Sequence, residues 1–154
     1  MEAPKKYCLV SGIGKDICEI SSFDSALLDA GIGNYNLVKI SSILPPESQG
    51  VDTISATNGS ILYTAYIAET TTDGEQIAAA VAVAIPENRH CCGVIIKYSL
   101  KGSKSEAEKR ASWLAEKAME KRGIPVARIE SIGAEVTGGD ACFSTAFAGL
   151  VLSD

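Results

Sequence analysis

The chain has 154 residues and a formal net charge of −5, enough length for one domain with a real core. An acidic balance without clustered Lys and Arg argues against nucleic acid as a partner and mildly favours small cationic ones. The start, Met1-Glu2-Ala3-Pro4-Lys5-Lys6, has no apolar run of signal-peptide length, and no segment is apolar enough for a membrane span. Five cysteines (Cys8, Cys18, Cys91, Cys92 and Cys142) contain no Cys-x-x-Cys pair, so buried, reduced thiols in a cytoplasmic protein are expected, with no metal.

In chain order, Tyr7 to Val10 reads as a strand, ended by a turn at Ser11-Gly12-Ile13-Gly14. That glycine pair with Lys15 mimics a phosphate loop but lacks its Gly-Lys-Ser/Thr ending. Ser22 is expected to cap a short helix from Phe23 to Ala30, with Leu27 and Leu28 inward and Gly31 as the left-handed stop. Strands follow over 34–44 and 61–68. Gln49 to Ser60 reads as a polar loop. Asp73-Gly74 marks a hairpin turn into 76–85; the alanine-rich run 78–85 also suits a helix, but Val and Ile alternate at its end and Pro86 closes it, which favours a strand. Cys91 to Leu100 is a further strand. Ser103 and Glu106 form a capping box, and a helix runs to Lys121 with Ala107, Ala111, Leu114, Ala115 and Ala118 buried. Strands at 127–136 and 141–152 flank Gly138-Gly139 and complete an α+β layered fold in a single domain, 1–154.

The informative stretch is Gly31 to Pro46, an apolar strand running into Ser41-Ser42 and stopped by Pro45-Pro46. A Ser-Ser pair before apolar residues is most often a strand end. The alternative is chemical. The Ser42 hydroxyl can attack the Ser41 carbonyl, convert that amide to an ester, and leave a pyruvoyl group on a new chain start after elimination and hydrolysis. His90 is the single histidine, so a serine hydrolase triad has only this polar-loop residue to build on; a surface position suits it better.

Residues 23–46, FDSALLDAGIGNYNLVKISSILPP, resemble the pyruvoyl-dependent arginine decarboxylases. Ala84-Ile85-Pro86, Cys92-Gly93-Val94-Ile95 and a charged helix ending Lys121-Arg122-Gly123 match in the same order, so the resemblance covers nearly the whole chain. It implies a four-layer α/β/β/α sandwich assembled as a homotrimer. It also implies self-cleavage between Ser41 and Ser42, giving a β fragment (1–41) and an α fragment (42–154), with Ser42 becoming the pyruvoyl cofactor. The implied reaction converts arginine to agmatine and carbon dioxide for polyamine synthesis. A carbonyl cofactor takes up the electrons left at the substrate's Cα, work that pyridoxal phosphate does elsewhere with a phosphate cradle and a lysine; neither is recognisable here.

The resemblance also implies site residues. Asn36 matches an asparagine that polarises groups beside the cofactor. Asp24 matches an acidic residue near the substrate guanidinium, which suits bidentate pairing; a helix-start acid interacting with the dipole is the rival reading. Gly33, Tyr35 and Ile43 match positions lining the pocket. On an unbroken strand Asn36 and Ser42 share a face but lie roughly 20 Å apart at about 3.3 Å per residue. Unless the strand bends sharply, Asn36 serves the Ser42 of a neighbouring subunit.

One position departs from the family. Its strand carries a glutamate as proton donor where this chain has Lys97. An ammonium lowered in pKa by burial can donate a proton, yet it reverses the local charge and can compete for the carbonyl; a Lys97 pointing to solvent does neither. Three readings therefore stay open: arginine decarboxylation, decarboxylation of another amino acid, and a non-catalytic paralogue that keeps the processing site.

Overall fold

A computed structural model describes residues 2–139 and 142–154. The first strand, β1 (Lys6–Asp16), does not stop at Ser11 but runs straight through the expected turn. The reason lies in its glycines. Helix α1 (Glu19–Asp29) packs directly on this strand. A Cβ at Gly12 would sit 2.3 Å from the Ala26 carbonyl oxygen, and one at Gly14 would sit 2.2 Å from that of Ser22. The glycines provide close approach between helix and strand, and no turn.

Helix α1 starts four residues earlier than the sequence suggests, with Cys18 at the N-cap position. Ser22 is therefore no cap. It is buried, its hydroxyl 2.9 Å from the Glu19 carbonyl oxygen and 2.7 Å from Thr145 Oγ1. Leu27 turns inward as expected, whereas Leu28 is 53% exposed. Gly31 does supply the left-handed stop, at φ 82°.

The expected strand 34–44 breaks in two. β2 (Asn36–Lys39) lies parallel to β5 (Ile61–Thr71), while β3 (Ile43–Leu44) lies antiparallel to β7 (Gly93–Lys101). These belong to different sheets. With β4 (Gln49–Gly50), β6 (Gln76–Pro86), β8 (Val126–Thr137) and β9 (Phe143–Ser153), the orders are β2-β5-β9-β1-β4 and β3-β7-β6-β8. The Asp73-Gly74 turn consequently joins strands of opposite sheets, and β5 and β6 do not pair as a hairpin. Asp73 Oδ1 shapes this turn by accepting from Thr71 Oγ1 and from the Glu75 amide. The start of the last expected strand, Ala141, lies outside the described residues.

Three apolar clusters define four layers. Alternate residues of β6 (Ile77, Ala79, Val81, Val83) fill the space between the sheets, with Ala65, Ala146, Ala148 and Leu150 opposite. The intervening Ala78, Ala80, Ala82 and Ala84 meet Ala107, Ala111, Ala115 and Met119 of helix α2 (Lys104–Arg122). Small residues on both surfaces bring that helix close to its sheet. Ser103 caps it by accepting from the Glu106 amide at 3.1 Å, and Gly123 ends it in the left-handed conformation. Met119 completes the buried stripe, and Leu114 and Ala118 are only half-buried. On the other side, Ala26, Leu27 and Ile32 pack on Cys8, Val10, Phe147 and Val151. The order is α1, five-stranded sheet, four-stranded sheet, α2. Of the cysteines Cys8 is buried and Cys18 exposed, and all five are free thiols, so burial is not general among them.

Candidate active site

Ser41 is the crossover residue between the two sheets. On its upstream side, the Ile40 amide donates to the Thr64 carbonyl of β5 at 3.1 Å. Downstream, the Ile95 amide of β7 donates to the Ser42 carbonyl at 2.8 Å. The chain leaves one sheet and enters the other within a single residue. Ser41 is exposed, Ser42 half-buried, and Leu44 buried between the sheets, where it anchors the downstream side. Pro45 and Pro46 follow, and Glu47 takes a positive φ of 63° as the chain turns away.

Beside this crossover lies a mostly apolar cavity of about 340 Å³, lined by Ile40, Ser41, Ile43, Tyr63 and Leu152 and by the chain start at Pro4. Ile43 and Tyr63 remain 40% and 48% exposed there.

Lys97 does not point idly to solvent. Its position on β7 turns it toward the space between the sheets, and its Nζ donates to the Ile40 carbonyl oxygen at 3.4 Å. Partial burial lowers its pKa, and the charge of Lys39 adds to that effect. Lys39 itself lies over the Tyr66 ring at 4.8 Å. One turn of the pleat beyond Lys97, Ser99 donates to Glu69 of β5 at 2.9 Å. The sequence offered no sign that Glu69 faces this gap, because only the stacking of the sheets puts it opposite Ser99.

The other expected site residues are spread across the layers. Asn36 stands at the first position of β2, exposed, with Nδ2 donating to the Gly59 carbonyl at 2.9 Å. All of β2 and the crossover separate it from Ser42, so the premise of one continuous strand face fails. Asp24 is exposed in the second turn of α1, on the outer side of the five-stranded sheet. Its place beyond the first turn removes the helix-start reading, since the dipole's effect fades within that turn. Gly33 lies against Leu28, and Tyr35 donates to the Ala56 carbonyl at 3.3 Å from the same outer layer. One chain thus brings Ser41, Ser42, Ile43 and Lys97 together and holds Asp24, Gly33, Tyr35 and Asn36 apart from them. His90 is on the surface, 3.2 Å from Glu47. Among the described residues no three His, Cys, Asp or Glu side chains gather as metal ligands would, and no helix is long and apolar enough to cross a membrane.

Fold and site together define a four-layer α+β sandwich whose two sheets are joined by a hydroxyl-bearing crossover peptide. A family model described as pyruvoyl-dependent arginine decarboxylase matches residues 6–154. The pyruvoyl-dependent arginine decarboxylase of Methanocaldococcus jannaschii is 44% identical over 135 residues, covering 87% of this chain and 82% of its own. That of Methanococcus aeolicus is 42% identical (88% and 83% covered), and that of Pyrococcus abyssi 34% identical (87% and 86% covered). The chain belongs to the pyruvoyl-dependent arginine decarboxylase family.

Proposed function

We propose that this protein cuts its own main chain between Ser41 and Ser42 and then decarboxylates arginine to agmatine and carbon dioxide, a step toward polyamines. The observation that carries the reading is the crossover itself. Hydrogen bonds to two different sheets fix the backbone immediately before and after the Ser41–Ser42 peptide, leaving that peptide exposed beside an apolar cavity. Such a clamp holds a serine hydroxyl against its preceding carbonyl at little further entropic cost. The products are a β fragment of residues 1–41 and an α fragment of 42–154 within one domain.

A carbonyl adjoining an amide at residue 42 supplies the electron sink for decarboxylation. This chain's own residues do the rest. Asp24 pairs with the substrate guanidinium, a planar and directional match. Gly33, Tyr35 and Ile43 shape the pocket, and Asn36 polarises groups beside the carbonyl. One chain holds these groups in separate layers, which supports a site completed by a second copy, in line with the trimer that the family resemblance implies.

Intact mass measurement of purified protein tests the first step. Divided at residue 41, the 16.1 kDa chain gives pieces of roughly 4 and 12 kDa. A single uncut mass removes the cofactor and the activity with it. Release of carbon dioxide from a panel of amino acids then tests the substrate, with arginine expected to respond.

A second reading is favoured by one contact, Lys97 on the Ile40 carbonyl. A cation fixed where the family resemblance implies a glutamate leaves the site without that acid, and the protein is then a processed but catalytically impaired paralogue. Lys97→Glu separates the two. A gain in carbon dioxide release supports impairment; no gain above the parent protein counts against Lys97 as the lesion.

A further inference from the structure

We infer that Lys97 is the counter-ion for the carboxylate that cleavage creates at Ser41, and that it keeps the upstream tail docked in the processed protein. This rests on the self-cleavage proposed above. The covalent steps balance without any oxidant or reductant. Ser42 Oγ adds to the Ser41 carbonyl carbon, the amide C–N bond breaks, and an ester with a free Ser42 amine results. Elimination passes the Ser42 α-proton to a base and breaks the Cβ–Oγ bond, so Ser41 departs as a carboxylate. The dehydroalanine left at residue 42 takes up water and loses ammonia to give the pyruvoyl group. Precursor and fragments differ by one water gained and one ammonia lost.

The geometry for a counter-ion is already present. Lys97 Nζ lies 3.4 Å from the Ile40 carbonyl, one peptide unit upstream of the carbon that becomes the carboxylate. Neighbouring carbonyl carbons along a chain are about 3–4 Å apart, an arc the flexible lysine stem spans by rotation. Before cleavage this ammonium is half-buried and meets only a neutral oxygen. No ion pair among the described residues uses it. The charge that acts on it is a second cation, Lys39, and the carboxylate of Glu69, on the facing strand, is hydrogen-bonded to Ser99. Burying a charge without a partner is unfavourable. Cleavage supplies the missing anion at this spot, whereas a glutamate at position 97 would meet it as a like charge.

The tail has reason to stay. Ile40 packs against the inter-sheet core and is bonded to Thr64, but Ser41 is exposed, and after cleavage nothing covalent holds it to β3. Pairing with Lys97 replaces the lost tether and limits entry of water beside Ser42.

Two measurements on the full chain test this. In the first, Lys97 is isotopically labelled and its side chain titrated by NMR, comparing processed wild type with the uncut Ser42→Ala variant. The expected result is a Lys97 pKa higher by about one unit or more after cleavage; an unchanged value overturns the inference. In the second, amide hydrogen exchange over residues 38–41 is compared among processed proteins. Lys97→Met should exchange at least about tenfold faster than wild type, and Lys97→Arg should stay close to wild type. Equal rates in wild type and Lys97→Met overturn the inference while leaving cleavage intact. Absence of cleavage in wild type, seen by mass, overturns both this inference and the function on which it rests.

Discussion

Ile40 and Ser42 are two residues apart and are hydrogen-bonded to opposite sheets, Ile40 to Thr64 of β5 and Ser42 to Ile95 of β7. The peptide between them bridges the sandwich at its edge. Nothing in the strand pattern of residues 34–44 required this, because an apolar run reads the same whether its two ends pair with one sheet or with two.

The first prediction separates the two serines. Ser42→Ala should give one uncut mass near 16.1 kDa and no carbon dioxide release, with an unchanged circular dichroism spectrum. Ser41→Ala should still be cut, because residue 41 contributes only its carbonyl. Cleavage of the first variant, or failure of the second, reverses the assignment of nucleophile.

The proposal that subunits share each site predicts complementation. Asn36→Ala and Ser42→Ala should each be inactive alone, one lacking the polarising amide and the other the carbonyl. Co-expressed at equal levels, they should recover roughly a quarter of wild-type activity if subunits mix at random around a cyclic interface. No recovery in mixed oligomers, verified by mass, places Asn36 and Ser42 of one chain in the same site.

At Gly14, an added methyl meets the α1 backbone at 2.2 Å. Gly14→Ala should therefore destabilise the fold by about 1–3 kcal/mol, since helix and strand must separate to admit it. Thermal denaturation reads this directly. Gly74→Ala, where nothing lies within 4 Å, serves as the control.

Tyr7 predicts an alkaline limit. Its hydroxyl donates to Glu130 at 2.8 Å, and Arg128 holds the same carboxylate at 2.9 Å. Burial, reinforced by Glu130, pushes the phenol up from 10.0 to about 12. Between those values the unfolded chain loses a proton that the folded one keeps, so stability falls as pH rises from 10 toward 12. Tyr7→Phe should cost about 1–2 kcal/mol near neutrality, through the lost bond to a charged acceptor, and should flatten the alkaline decline. A slope identical to wild type above pH 10 would count against Tyr7 as its source.

Elements with a local cause were legible in the sequence. The capping box and Gly123 gave the second helix, Gly31 the stop of the first, and Pro86 the end of β6. Misreadings came where a distant surface decided. Gly12 and Gly14 looked like a turn because close approach by a helix and a tight turn both call for a missing side chain. Ser22 looked like a cap, but Thr145, far along the chain, gives its hydroxyl a buried partner. Leu28 looked inward by hydrophobicity, yet the helix begins earlier and its buried face is set by Ser22, Ala26 and Leu27.

By itself the amino-acid order determined the α+β class, most of the strands and the second helix, and the run around Ser41-Ser42 that marks its family. These follow from short-range chemistry: periodicity, capping groups and a rare run of residues. Only the tertiary structure decided that residues 34–44 divide between two sheets, that Lys97 reaches the Ile40 carbonyl, and that Asp24 and Ser42 lie in different layers of one chain. Those relationships depend on which face of each strand meets which neighbour, and a side chain carries no record of that until the layers close.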